Sequence, residues 1–142
     1  MAAGEQVRRV PDSELDFDNE LIYRWRGQLF TGIGYDDTSE AGLSEISYRD
    51  GLQDGPGRDW FPSGGLKAES WYLENTLHGF SREFNEDQVM VSEEIYEYGI
   101  LVRRTRWDDA GSEVESWNID PGGPGFARLQ RYRAEKRWPA VA

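Results

Sequence analysis

The chain has 142 residues, a net charge of −11 at pH 7, six tryptophans and no cysteine. This length predicts one domain with a modest core, in which aromatic side chains supply much of the burial. The lack of cysteine excludes disulfides and thiolate chemistry. The acidic charge argues against nucleic acid and anionic membranes as partners, and it indicates either a basic protein partner or a surface charged for solubility alone.

Charge and hydropathy also bear on location. Residues 1–119 carry a net charge of −14 and residues 120–142 carry +3. The first ten residues contain no apolar segment of the signal-peptide type. No run approaches the roughly 18 apolar residues of a membrane span. We therefore expect a cytoplasmic protein.

The N-terminal part contains a run of alternating acids. Residues 1–11 are expected to be disordered, and residues 12–119 are expected to form the folded domain. From Asp12 to Leu21 acidic residues alternate strictly with others, which predicts a strand with five carboxylates on one face. Such a face suits an exposed edge that resists aggregation. Its functional alternatives are a docking stripe for a cationic surface and a weak Ca²⁺ site.

A period of 24 residues governs the stretch from Tyr48 to Ile119. Each row contains two strand patterns and two turns, and a degenerate earlier repeat begins near Tyr23. This pattern predicts an all-β fold, a single antiparallel meander sheet of β-hairpin repeats. The segment Ser92 to Tyr98 has local helix propensity, but its position in the repeat predicts a strand. The aligned positions include Tyr48, Tyr72 and Tyr96, the turn residues Gly51, Asn75 and Gly99, and the aromatic residues Trp60, Phe84 and Trp107.

The C-terminal segment, residues 120–142, is predicted to be a Gly/Pro linker followed by a basic cap. Pro121 to Gly125 form the linker, and Phe126 to Trp138 have the spacing of a short helix. This helix is expected to cover the open end of the sheet. The alternatives are a basic arm that contacts a partner and an arm that folds back on the acidic body.

The repeats resemble a known family. The segments Y-R-D-G-L-Q-D-G from Tyr48, W-F-P-S-G-G-L-K-A-E from Trp60 and Y-L-E-N-T-L-H-G from Tyr72 resemble MORN-variant repeats of bacterial YwqK-like antitoxin proteins. The resemblance covers about residues 22–119 and includes L-F-T-G from Leu29. It implies a curved sheet of β-hairpins that acts by binding another protein. The chain departs from the pattern at Asn75, Gln88 and Arg103, where the repeats become less regular or need a side chain more than a flexible turn.

The first functional hypothesis is a non-enzymatic binding module, of the antitoxin or immunity kind, that neutralises a basic partner. Glu69 and Glu93 occupy equivalent repeat positions and should share one sheet face with Glu45. Tryptophan and tyrosine side chains would anchor the partner, since such residues dominate binding energy at interfaces. The predicted binding residues are Glu45, Trp60, Glu69, Trp71, Tyr72, Glu93, Tyr96 and Trp107.

Two alternatives belong to other classes. A small enzyme or substrate-binding factor would use Glu69, Glu93 and His78 for acid–base chemistry in a groove, as in an isomerisation or cyclisation. A scaffold protein would associate with itself through its open sheet edges. No zinc-ligand spacing, P-loop or nucleophile motif occurs in the sequence, so no metal and no cofactor are expected.

Overall fold

The structure, a computed structural model, describes residues 7–141. Within these residues, strands dominate, and a single turn of 3₁₀ helix spans Asp12–Glu14. The strands are β1 (Arg9–Pro11), β2 (Leu15–Phe17), β3 (Tyr23–Trp25), β4 (Gln28–Leu29), β5 (Gly32–Asp36), β6 (Ser44–Arg49), β7 (Leu52–Trp60), β8 (Leu66–Leu73), β9 (Thr76–Phe84), β10 (Met90–Glu97), β11 (Ile100–Trp107) and β12 (Glu113–Asn118), and the α-helix is α1 (Pro124–Lys136).

An open sheet of nine strands forms the body of the protein. Its order is β1-β5-β6-β7-β8-β9-β10-β11-β12, and β5 to β12 form an antiparallel meander. This confirms the predicted all-β meander and the prediction of a strand at Ser92 to Tyr98. At the first edge, β1 pairs with β5 in parallel. The prediction of disorder is therefore wrong for residues 9–11, because ladder bonds to β5 hold them, and residues 1–6 lie outside the described residues.

A second, three-stranded sheet of order β2-β3-β4 was not predicted. It corrects the prediction of one long acidic strand from Asp12 to Leu21, since only Leu15–Phe17 are extended there. Asp18 instead accepts hydrogen bonds from the backbone of Glu20 and Ile22, which turns the chain. The row of five carboxylates does not form, and the docking stripe and Ca²⁺ site built on it are wrong.

The turns at one end of the sheet repeat with the sequence period. In each, two successive residues have positive φ, the geometry of the tight hairpin turn whose twist matches the strands. These pairs are Asp50–Gly51, Glu74–Asn75 and Tyr98–Gly99. Asn75 does more than replace glycine: its side chain accepts a bond from the Gln53 amide and donates one to the Leu21 carbonyl. This position therefore needs a side chain.

The two faces of the main sheet carry different residues. Ile46, Gly57, Ser70 and Ser81 lie opposite one another across four strands, so they share one face. Tyr48, Tyr72 and Tyr96 lie on that face by alternation along β6, β8 and β10, and we call it the tyrosine face. The opposite face carries Glu45, Glu69 and Glu93, and we call it the ladder face.

The small sheet covers one end of the tyrosine face. Buried Leu15, Phe30 and Tyr48 form a core there together with Val10. The ring centroids of Phe30 and Tyr48 are 5.7 Å apart. Leu15 packs so closely against β5 that only a glycine fits beneath it at position 34. Burial of these aromatic and aliphatic groups supplies the stabilisation that a small acidic domain needs.

The helix α1 covers one end of the ladder face. It begins at Pro124, earlier than predicted, since proline is favoured at the first helical position. Leu129 is fully buried against Tyr98 and Ile100, and Arg133 forms a bidentate pair with Glu97. The segment thus folds back on the body, as one alternative predicted. The expectation that it covers the open end is wrong, because α1 packs on the face and all of β12 stays exposed.

Candidate functional site

Charges of alternating sign cross the ladder face in one line. Glu45 lies opposite Arg58, Arg58 opposite Glu69, Glu69 opposite Arg82, and Arg82 opposite Glu93. This arrangement confirms that the three glutamates share a face. It also places between them two arginines that repeat at the same 24-residue spacing, so a guanidinium separates every pair of carboxylates.

The glutamates of this line are ion-paired. Arg9 Nη2 lies 2.8 Å from Glu45 Oε2, and Arg82 Nε lies 2.8 Å from Glu93 Oε2. Arg58 and Glu69 form the middle pair. The side chains of the three glutamates are only 15–21% exposed, so they are largely covered as well as paired. The ladder is therefore balanced in charge, and it offers a basic partner little free negative charge.

A cleft of about 670 Å³ adjoins this line, and we call it the Trp71 cleft. Trp71, Phe80 and buried Ile95 supply its apolar part, as expected for residues beside the glutamates. Arg82 stacks over the Phe80 ring at 3.7 Å, and Arg103 approaches Glu93 at 4.0 Å. The C-terminal residues 139–141 also line it. The cleft combines apolar surface with charges that are already paired.

His78 lines the same cleft, but both its ring nitrogens have partners. Nδ1 accepts a hydrogen bond from the Tyr98 amide at 3.0 Å, and Nε2 lies 2.7 Å from the Pro139 carbonyl oxygen. These partners define the tautomer with the proton on Nε2. The ring also contacts Tyr98 and Trp138 edge-on. His78 thus joins the C-terminal segment to the sheet.

The remaining predicted site residues are divided between surfaces. Tyr72 and Tyr96 belong to the tyrosine face, although Tyr72 also borders the Trp71 cleft. Burial raises the pKa of Tyr96, with Glu94 adding to the effect. Trp60 is the last residue of β7, and Trp107 is the last residue of β11. Tyr72 and Tyr96 lie near the opposite end of the sheet, beside the hairpin turns that follow β8 and β10. The structure therefore does not bring all the predicted binding residues together.

Four loops lie at the end of the sheet where β7 and β11 finish, and we call this region the acidic end. They span residues 37–43, 61–65, 85–89 and 108–112 and, together with Asp36 at the end of β5, contain no lysine or arginine. None of their carboxylates takes part in an ion pair within residues 7–141, in contrast to the glutamates of the ladder. These acids are Asp36, Asp37, Glu40, Glu86, Asp87, Asp108 and Asp109.

The acidic end contains its own cleft, of about 600 Å³, which we call the Trp60 cleft. Asp37, Glu40, Trp60 and Phe61 are among the residues that line it, and Lys67 Nζ lies 5.9 Å from the centroid of the Phe61 ring. The geometry is fixed locally, because the Trp60 amide donates to the Leu43 carbonyl at 2.8 Å. Carboxylates beside aromatic faces suit an ammonium or guanidinium group, which gains both ion pairing and cation–π attraction.

Sequence reasoning missed several of these residues. Arg58 and Arg82 were recognisable, since they repeat at the period of the glutamates, but their pairing needs the strand register. Asp37 and Glu40 lie in a turn that was recognised as polar. Their meeting with Trp60 depends on the meander folding the loops of β5–β6 and β7–β8 to the same end.

The fold and these surfaces define an open all-β repeat sheet with a balanced charge ladder and a separate acidic end. A scan against protein-family models finds no match for this chain, and neither does a search of curated proteins. The resemblance to MORN-variant repeats stays a prediction. Among the described residues, no helix is long and apolar enough to cross a membrane, and no cluster of three or more histidine or acidic side chains is arranged to hold a metal ion.

Proposed function

We propose that the protein is a non-enzymatic binding module that docks a basic protein partner at its acidic end. The observation that carries the proposal is the Trp60 cleft, where unpaired Asp37 and Glu40 stand beside Trp60 and Phe61. A lysine or arginine of the partner would anchor in this cleft. A basic toxin that the module neutralises is a partner of this chemistry, in line with the resemblance to antitoxin repeats.

Charge distribution supports this location over the ladder face. The carboxylates of Glu45, Glu69 and Glu93 already face guanidinium groups, so a cationic partner would have to displace them. The loop carboxylates form no ion pair with any lysine or arginine of residues 7–141. Unpaired charges at the surface also steer a partner of opposite sign over distances near the Debye length.

The acid–base alternative gains no support from the geometry. Its residues Glu69, Glu93 and His78 each have partners, and Glu69 does not line the Trp71 cleft that the other two share. The ring nitrogens of His78 face a backbone donor and a backbone acceptor, which leaves neither free for a substrate. We therefore keep protein binding as the one proposed function.

A capture experiment tests the proposal. The protein and its double variant Asp37→Lys/Glu40→Lys would serve as bait in native cell lysate at about 50 mM and 500 mM salt, on either side of strong screening. The control Glu20→Lys/Glu135→Lys makes the same change in net charge at exposed, unpaired positions elsewhere. We expect a basic protein that the wild type and control retain at low salt and the cleft variant loses. Equal retention by both variants would refute the proposed location.

A further inference from the structure

The last strand of the sheet, β12, has an open edge. All six of its residues are exposed, and its outer side pairs with no other strand of the described chain. Two apolar side chains of this strand, Val114 and Trp117, are 64% and 42% exposed. The helix α1 does not shield them, since it packs against Tyr98 and Ile100.

The free backbone groups of this edge can be assigned. The Ile119 amide donates inward to the Val102 carbonyl at 2.9 Å. Bonding direction alternates along an antiparallel strand, so the amide and carbonyl groups of Asn118 and Ser116 point away from β11. Unpaired groups of this kind form a template for another strand.

The two edges of the sheet differ in protection. At the opposite edge, β1 has only three residues and ends at Pro11, which has no amide hydrogen. Short edge strands and proline discourage further pairing. In contrast, β12 contains neither proline nor lysine. Glu113 and Glu115 alternate with Val114 and Ser116, and the valine and Trp117 are residue types favoured in strands.

The charge around β12 indicates what could pair with it. Glu113 and Glu115 lie on the strand, and Asp108 and Asp109 lie in the loop before it. A second copy of the chain would bring an equal set of carboxylates against these, and like charges on paired strands repel. Arg106 and Arg104 of the neighbouring strand pair with Glu115 at 3.7 and 4.0 Å, so the unpaired charge of this region within residues 7–141 is that of Glu113, Asp108 and Asp109. A segment of opposite charge avoids this repulsion.

We propose that β12 binds an extended basic segment of a partner protein, which adds to the sheet as a further strand. Main-chain bonds to Ser116 and Asn118 would supply affinity, and a lysine or arginine side chain beside Glu113 would supply specificity. This inference rests on the proposed function for the charge of the partner. It adds a second contact, at the strand edge, to the one proposed at the Trp60 cleft.

The test uses a synthetic peptide of about ten residues, longer than a typical strand of five or six, that alternates lysine with threonine. Its counterpart with glutamate for lysine is the charge control. Ser116→Pro removes the outward amide hydrogen, and Ser116→Ala keeps it while removing the hydroxyl. We expect the lysine peptide to bind the wild type and Ser116→Ala, and Ser116→Pro to bind it about tenfold or more weakly. We expect the glutamate peptide not to bind.

Hydrogen exchange keeps the test decisive if Ser116→Pro fails to fold. In the wild type, the lysine peptide should slow exchange at the amides of Ser116 and Asn118. Binding without this protection would overturn strand addition and leave the proposed function standing. No binding of the lysine peptide would also overturn it, while the capture experiment at the Trp60 cleft judges the proposed function separately. A concentration-dependent dimer whose formation protects the same amides would replace the basic segment with a second copy.

Discussion

Nε2 of His78 lies 2.7 Å from the carbonyl oxygen of Pro139, and this contact ties the C-terminal segment to β9. On the other side of the ring, Nδ1 accepts the Tyr98 amide hydrogen. Trp138 stacks on Tyr98 at 5.1 Å and donates its amide hydrogen to the Tyr98 hydroxyl. One histidine thus joins a strand, a hairpin turn and the segment after α1.

Replacing this histidine should loosen the C-terminal segment. His78→Phe keeps an aromatic ring but loses both hydrogen bonds and leaves the Tyr98 amide without its acceptor. We expect a loss of about 1–3 kcal/mol in the free energy of unfolding, the usual cost of an unsatisfied group. Faster hydrogen exchange at Tyr98 and Trp138 would accompany it. The exposed change Gln130→Ala is the control, and unaltered exchange at both amides in His78→Phe would count against the role of the histidine.

The ladder pairs should contribute little stability individually. Arg82 and Glu93 form a close pair, but the arginine side chain is 35% exposed and solvent weakens the attraction. A double-mutant cycle with Arg82→Ala and Glu93→Ala should give a coupling energy below about 1 kcal/mol. Chemical denaturation of the four proteins measures it. A coupling of several kcal/mol would mean that the ladder, and not the aromatic cores, determines stability.

Two glycines on the same line of the tyrosine face provide a matched test of packing. Both lie opposite Ile46, but a methyl group at Gly34 would come within 2.9 Å of Leu15 Cδ1, whereas at Gly57 the nearest atom is 3.7 Å away. Gly34→Ala should destabilise by about 1–3 kcal/mol through overpacking. Gly57→Ala should be neutral or stabilise by about 0.5–1 kcal/mol, because glycine is unfavourable within a strand. Similar effects at both sites would contradict the placement of the small sheet.

Alkaline pH should destabilise the core around Tyr48. Burial raises the pKa of Tyr48 above its ordinary value, and nearby Tyr23 and Asp12 add to this. The folded state therefore favours the neutral phenol. The stability that the neutral phenol of Tyr48 contributes is fully present below the unfolded pKa, about 10. It is lost as the pH rises through the higher pKa of the folded state. As the pH rises through the folded pKa, the free energy of unfolding measured by denaturation should decline less for Tyr48→Phe than for the wild type. The control is Tyr72→Phe, at a half-buried position. An equal decline in all three would exclude Tyr48 as the cause.

Much of the large sheet was predictable because the 24-residue period fixes the strands and turns together. Tyr98 shows why: local propensity before it favours a helix, but its place in the repeat requires a hairpin. The regular period starts only at Tyr48 and does not predict residues 15–29, where the small sheet forms although a degenerate repeat was expected from Tyr23. There the acids from Asp12 to Glu20 alternate like a strand, yet Asp18 turns the chain by bonding to backbone amides.

The candidate site was predictable only in part. Equivalent positions placed Glu69 and Glu93 on one face, but the partners of those glutamates depend on strand register. Asp37 and Trp60 are 23 positions apart in the sequence, and only the meander brings them to one cleft. The exposure of β12 depends on where α1 packs, which composition does not specify.

Salt-dependent capture with Asp37→Lys/Glu40→Lys shows whether the Trp60 cleft binds a basic protein. Such a protein should bind the wild type and Glu20→Lys/Glu135→Lys at about 50 mM salt, bind them more weakly at about 500 mM, and fail to bind the cleft variant. A partner retained equally by the cleft variant, or the absence of any basic protein at low salt, would contradict the proposal.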